Sequence, residues 1–266
     1  MGNIDINSIR KKGFAEGSVE ERIEEYCRRT ASEHTDGLLQ MYNELEGSRS
    51  GKYINSDLMK MVYPFYAKKF ENRTKYNMSI TNSAAVLTNE AYRRAIQNPN
   101  VERCVFVVGP YGAGKSVFSQ ELLEQEENGL LKNSIIYEGS ITPPAFGEKI
   151  QYAIDHGVSP SIIALNPTLK LSIQNIRERA KRIGRDVEKK EVIDKYSNMY
   201  RFLKDIVEQF ENIAYVIYNK NANVDLELSA GSTNLEDLNH GSEQEISEQY
   251  DKIIKSLDSD EQCISN

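Results

Sequence analysis

Eight consecutive residues, Gly109, Pro110, Tyr111, Gly112, Ala113, Gly114, Lys115 and Ser116, follow the pattern glycine, four residues, glycine, lysine, serine or threonine. Each position has a mechanical reason to hold phosphate. The glycines let the backbone turn so tightly that successive N–H groups converge on anionic oxygens. A helix opening at the end of the loop aims the positive end of its dipole at the same anion. Lys115 can bridge the β- and γ-phosphates of a nucleoside triphosphate, and the Ser116 hydroxyl can ligate Mg²⁺. An apolar run from Cys104 to Val108 precedes the loop and a helical pattern opening with Val117 follows it, the strand–loop–helix setting this motif requires. Residues 109–117 therefore predict an ATP site with Mg²⁺ as its metal.

The neighbouring residues narrow the kind of nucleotide chemistry. A guanine site needs Asn-Lys-x-Asp, and Asn219, Lys220 and Asn221 come close, but Ala222 stands where the Asp belongs. Motor-type ATPases carry an apolar strand ending in Asp-Glu; here the candidate strand reads Ile135, Ile136, Tyr137, Glu138, Gly139, Ser140. Small-molecule kinases instead cover the transferred phosphate with an arginine lid. Arg177, Arg179, Arg182 and Arg185 lie within nine residues, and Arg179 and Arg182 share a helical face. Such a run standing alone is more often a solvated basic face; downstream of a phosphate loop it reads as a lid whose planar cations suit phosphoryl oxygens.

Transfer to a hydroxyl also benefits from a carboxylate that orients and deprotonates the acceptor. Asp57, at the end of a predicted strand, is the first candidate base, although Asn55, Ser56 and Asp57 are all good helix caps and Asp57 can equally serve as one. Glu138 stands in the same topological situation and can act as a base or bind acceptor hydroxyls.

The elements that must carry these residues alternate in type. Short apolar strands are expected at 52–55, 104–108, 135–137, 162–165 and 214–218, with helices at 83–97, after the loop to about 126, 145–156, 168–183 and 188–212. Pro64 marks a kink or break in a helix that follows Asp57. This rhythm predicts an α/β fold, a three-layer sandwich of the P-loop NTPase and small-molecule-kinase kind around a mostly parallel sheet. Ser18 and Glu21 form a capping box that opens a pair of N-terminal helices. The chain divides into a helical lead-in at 1–50, a kinase-like domain at 51–220, and an acidic tail at 221–266, expected to be mostly disordered with one possible helix at 244–257.

Composition excludes several classes. The net charge is −7, but residues 221–266 alone carry −9, leaving a body near +2 with no electrostatic footprint for nucleic acid. No run approaches the length of a membrane span, and the N-terminus has no secretory pattern, so a cytoplasmic protein is expected. Cys27, Cys104 and Cys263 are scattered, as are His34, His156 and His240, which predicts neither disulfides nor structural zinc.

Taken together, residues 50–220 resemble the zeta toxin family of P-loop kinases, whose members transfer the ATP γ-phosphate to the 3′-hydroxyl of UDP-N-acetylglucosamine. The resemblance lies in residues 51–66, similar to the family's strand ending in its catalytic Asp; in the glycine loop; in 135–141, similar to its Glu-Gly-Thr segment; in the arginine helix ending at Gly184 and Arg185; and in the strand 215–219. It implies Asp57 as base, Lys115 and Ser116 on phosphate and metal, Lys60, Glu138 and Ser140 at the acceptor, and Arg179 with Arg182 bracing the γ-phosphate. It also implies a nucleotide-sugar substrate and an antitoxin partner.

Three departures stand out. The Asp segment precedes the glycine loop instead of following it, which implies a permuted arrangement with Asp57 and Lys115 sharing one cleft. Lys60 replaces a forked Arg with a point charge, and Thr142 stands where the family often has Arg. Three activities fit these residues: a kinase of a small hydroxyl compound, a nucleotide-binding regulator or slow ATPase without a transfer substrate, or a kinase of protein or nucleic-acid ends, the last disfavoured for nucleic acid by the near-neutral body.

Overall fold

A computed structural model describes residues 3–124, 132–139, 141, 145–183, 187–221 and 231–264. The chain opens with helices α1 (Val19–Glu33) and α2 (Thr35–Glu44), then strand β1 (Tyr53–Asn55) and four helices, α3 (Ser56–Met59), α4 (Pro64–Lys68), α5 (Phe70–Lys75) and α6 (Asn77–Ile96). The alternating part follows as β2 (Arg103–Val108), α7 (Lys115–Glu124), β3 (Ser134–Gly139), α8 (Ala145–Asp155), β4 (Ser159–Pro167), α9 (Leu169–Ile183), α10 (Lys189–Gln209) and β5 (Ala214–Lys220). A final helix, α11, spans Glu243–Ile264. No helix among the described residues is long and apolar enough to cross a membrane.

All strand pairings are parallel, in the order β1-β3-β2-β4-β5. Period-two alternation explains the layering. Cys104, Phe106 and Val108 face a core shared with Tyr92 and Ile96 of α6, Ile150 of α8 and Leu203 of α10. Val105 and Val107 face the other way, against Phe118, Leu122 and Leu123 of α7. Both faces of β2 are therefore apolar, as a central parallel strand requires, and each fully buried large side chain contributes about 1.5–3 kcal/mol. The result is an α/β fold with helices on both faces of the sheet.

The order explains how a segment that precedes the glycine loop reaches the same cleft. β1 adds to the sheet beyond β3, with Asn55 level with Glu138 and Glu138 level with Val107. In an all-parallel sheet every strand's carboxyl end opens on one edge, so Asp57 and the glycine loop emerge on the same edge, with the end of β3 between them. The outer edge of β1 is closed by α2: the Tyr42 hydroxyl donates to the Tyr53 carbonyl at 2.6 Å and accepts from the Asn55 amide at 3.0 Å. The lead-in helices thus occupy a strand edge that would otherwise invite pairing.

Two expectations change. α6 begins at Asn77, six residues ahead of the predicted 83, because burial of Ser79, Ile80 and Ser83 against α1 overrides a weak local propensity. Of the kink or break expected at Pro64, the break is seen: the helical run after Asp57 ends at Val62 and Pro64 starts α4 at the first position, where its missing N–H costs nothing. Against the expected disorder of the C-terminal tail, its described residues 231–264 are built mainly around α11. Ser232 pairs with Ile217 on the free edge of β5, and Ile246, Tyr250, Ile253, Ile254 and Leu257 form an apolar stripe that packs α11 onto α9 and α10. The acidic composition concealed that stripe, whose spacing of three and four residues is helical.

Candidate active site

The glycine loop links β2 to α7 at the centre of the sheet's carboxyl edge. Gly112 has φ 74°, and a Cβ there would collide with the Ser172 carbonyl; at Gly109 it would lie 2.7 Å from the Leu165 carbonyl oxygen. Only glycine permits so close an approach of two backbones. The first turns of α9 are fastened to the loop: Ser172 Oγ donates to the Tyr111 carbonyl and Asn175 Nδ2 to the Gly112 carbonyl, both at 2.8 Å. Pro110 and Ala113 are buried in the loop, whereas Ser116 and Val117 at the start of α7 are exposed.

Lys115 folds over the loop, its ammonium donating to the Gly109 and Pro110 carbonyls at 2.9 Å each. Burial lowers its pKa, and the negative charges of Glu138 and Asp57 oppose that shift while Arg179 and Lys195 reinforce it. Four titratable groups from four different elements therefore act on one ammonium. Lys220, at the end of β5, adds another cation beside Gly114. Lys195 and Lys220 carry no motif and escaped the sequence reading; only the docking of α10 and β5 brings them to the loop.

Glu138 ends β3 on the α7 side of the sheet and is buried. Its Oε1 accepts from the Ser116 hydroxyl at 3.1 Å and its Oε2 from the Tyr53 hydroxyl. Burial raises its pKa, against the opposing pull of Lys115 and the two hydroxyls. This carboxylate, expected to act as a base or to meet the acceptor, faces Ser116, the predicted metal ligand. Among the described residues no group of three or more acidic, His or Cys side chains could hold an ion by itself. A hydroxyl beside one carboxylate nonetheless fits Mg²⁺, which keeps most of its waters and takes its remaining ligands from phosphate.

Asp57 is freed from the capping role by its neighbour. The Asn55 side chain accepts from the amides of Asp57 and Leu58 at 2.8 and 2.9 Å and so caps α3, which leaves the Asp57 carboxylate half exposed at the cleft. Lys60 approaches its Oδ1 at 3.1 Å and also donates to Asn77 Oδ1 at 2.8 Å. The Lys60 side chain is only 4% exposed, so it orients Asp57 from beneath instead of reaching an acceptor molecule as expected. Tyr66 reaches the same Asn77 oxygen at 3.3 Å; Asn77 is a further residue that no motif announced.

The two candidate lid arginines part company. Arg179 follows Ser172 and Asn175 along one face of α9 and is half-buried toward the loop, whereas Arg182, one turn further, is exposed. Arg177 turns away to pair with Asp258 of α11. Ser140, Thr142, Gly184 and Arg185 lie outside the described residues.

Compared with known proteins, the chain matches no family model and no curated protein.

Proposed function

We propose that this protein is a Mg²⁺-dependent kinase that moves the γ-phosphate of ATP to a hydroxyl of a small molecule, a nucleotide sugar such as UDP-N-acetylglucosamine, in the manner of the zeta toxin family. The observation that carries the reading is the convergence on Lys115: a glycine loop flanked by Arg179, Lys195 and Lys220, with Asp57 of α3 and Glu138 of β3 acting on the same ammonium. A binding loop alone would not need a half-exposed carboxylate oriented by a buried lysine at its rim.

In this reading the loop amides and Lys115 hold the β- and γ-phosphates. Asp57, steadied by Lys60 and Asn77, takes the proton of the acceptor hydroxyl as its oxygen attacks the γ-phosphorus. The bond from that phosphorus to the β–γ bridging oxygen breaks, and ADP leaves. Arg179 and Lys115 stabilise the charge spread over the equatorial oxygens, which is where most catalysis of phosphoryl transfer resides. Ser116 would hold Mg²⁺, with Glu138 on the ion's water, and the ion supplies charge neutralisation to the phosphates.

The test is ADP release by the purified protein with Mg²⁺-ATP and UDP-N-acetylglucosamine, beside an Asp57→Asn variant. Sugar-dependent release that disappears in the variant supports the kinase and its base. ATP binding without turnover on this or any other hydroxyl acceptor overturns the transfer reaction and favours a nucleotide-binding regulator.

A further inference from the structure

Tyr53 carries a hydroxyl where its surroundings ask only for carbon. It is the first residue of β1 and only 3% exposed, and it shares an apolar cluster with Val105, Ile136, Phe118 and Leu122 on the face that α7 covers. A phenylalanine would fill that place equally well. A buried hydroxyl must find a partner, and this one donates to Glu138 Oε2.

The register explains the reach. Parallel pairing sets Tyr53 level with Ile136 and Asn55 level with Glu138, so Tyr53 stands two residues short of the carboxylate on the same face of the sheet. A tyrosine leaning along the strand direction spans that diagonal, whereas a short side chain does not. β1 itself is held by the fully buried Tyr42, whose hydroxyl bonds the Tyr53 carbonyl and the Asn55 amide. A strand of three residues thus serves both carboxylates of the site: Tyr53 takes Glu138, and Asn55 caps the helix that carries Asp57.

The two oxygens of Glu138 meet different donors. Tyr53 occupies Oε2, which leaves Oε1 to the Ser116 hydroxyl at 3.1 Å. That division matters for a metal ligand. A serine that offers an oxygen lone pair to Mg²⁺ still has a proton to place, and it needs an acceptor that stays where it is. With Oε2 tied down, turning the carboxylate away from Ser116 would cost the Tyr53 hydrogen bond. Partners one step out from an ion's ligands commonly set metal affinity in this way.

We propose that Tyr53 is a positioning residue for the metal: it locks the Glu138 carboxylate so that Oε1 receives the Ser116 proton and the serine oxygen is left for the ion. This rests on the glycine loop holding a Mg²⁺-nucleotide, as proposed above.

The experiment uses electron paramagnetic resonance to measure Mn²⁺, a paramagnetic substitute for Mg²⁺, bound by the full chain saturated with ADP. Tyr53→Phe keeps the ring and removes only the hydroxyl. It should lower Mn²⁺ affinity about tenfold or more while leaving the affinity for metal-free ADP unchanged. Glu138→Ala should lose at least as much, and the double variant should be no weaker than Glu138→Ala alone, because Tyr53 acts only through that carboxylate. Unaltered Mn²⁺ affinity in Tyr53→Phe, a parallel loss of metal-free ADP binding, or additive losses in the double variant each overturn the positioning role alone. A wild-type chain that binds no ADP, or binds ADP without retaining Mn²⁺, overturns this proposal and the phosphate-loop reading together.

Discussion

The Ser116 hydroxyl and the Glu138 carboxylate meet at 3.1 Å, one from the first turn of α7 and the other from the end of β3. The contact exists because Glu138 shares a sheet face with Ile136 and Val107, the face that α7 covers. Out of sequence, the two residues are 22 positions apart with no motif between them. Their meeting sets Glu138 beside the hydroxyl that the sequence offers as a metal ligand.

That placement has a pH signature. Burial holds the Glu138 carboxyl above its ordinary 4.5, so the native state binds this proton more tightly than the unfolded chain does. Stability attributable to this group is therefore full below the unfolded value and is lost as pH rises through the native one. Replacing Glu138 with Gln removes this slope. Denaturant titrations from pH 4.5 upward should show the wild type losing ground to the variant as pH rises. Parallel curves would mean that the carboxylate costs nothing to ionise where it sits.

Asp57→Asn is expected to lower kcat by about 10²–10⁴-fold, the usual range for a lost general base. Affinity for ATP should change less than about twofold, because the carboxylate lies at the rim and the loop holds the phosphates. Calorimetry and coupled ADP-release kinetics on one preparation separate the two effects. A matching loss in ATP binding would make Asp57 part of the nucleotide site.

Arg179 and Arg182 offer a paired comparison that the sequence could not make. Arg179 is half-buried and its charge acts on Lys115; Arg182 is exposed. Arg179→Ala should cost about 100-fold or more in kcat/KM, whereas Arg182→Ala should stay within about threefold. Similar losses from both would mean that α9 shifts one turn toward the loop during turnover.

The C-terminal helix should be required for stability. Ile246 is fully buried between α9 and α10, and Ile246→Ala is expected to cost about 2–5 kcal/mol. A melting temperature unchanged in that variant would show that α11 does not belong to the cooperative unit.

Much of the fold was legible because its signals are local. The strands were readable from short apolar runs, the helices from three- and four-residue spacing, and the glycine loop from eight contiguous residues whose backbone demands glycine at fixed positions. Asp57 was readable either as a candidate base or as a helix cap, since three adjacent residues could each cap a helix. The structure gives the cap to Asn55, which takes the two amides of α3. Lys60 was read as an acceptor-binding point charge; its burial beside Asp57 comes from the packing of α3 on α6, which no local pattern encodes.

By itself, then, the sequence determined the elements, the loop and the types of residue available for chemistry, since each depends on neighbours within a few positions. Tertiary structure alone decided which of them face Lys115. Strand order put β1 beside β3 and so carried Asp57 to a loop more than fifty residues away. Packing put Lys195, Lys220 and Arg179 around that loop, and laid the acidic C-terminal helix against α9 and α10 by an apolar stripe that average composition hides. Those choices rest on burial and charge summed over the whole chain, and no window of neighbouring residues contains that sum.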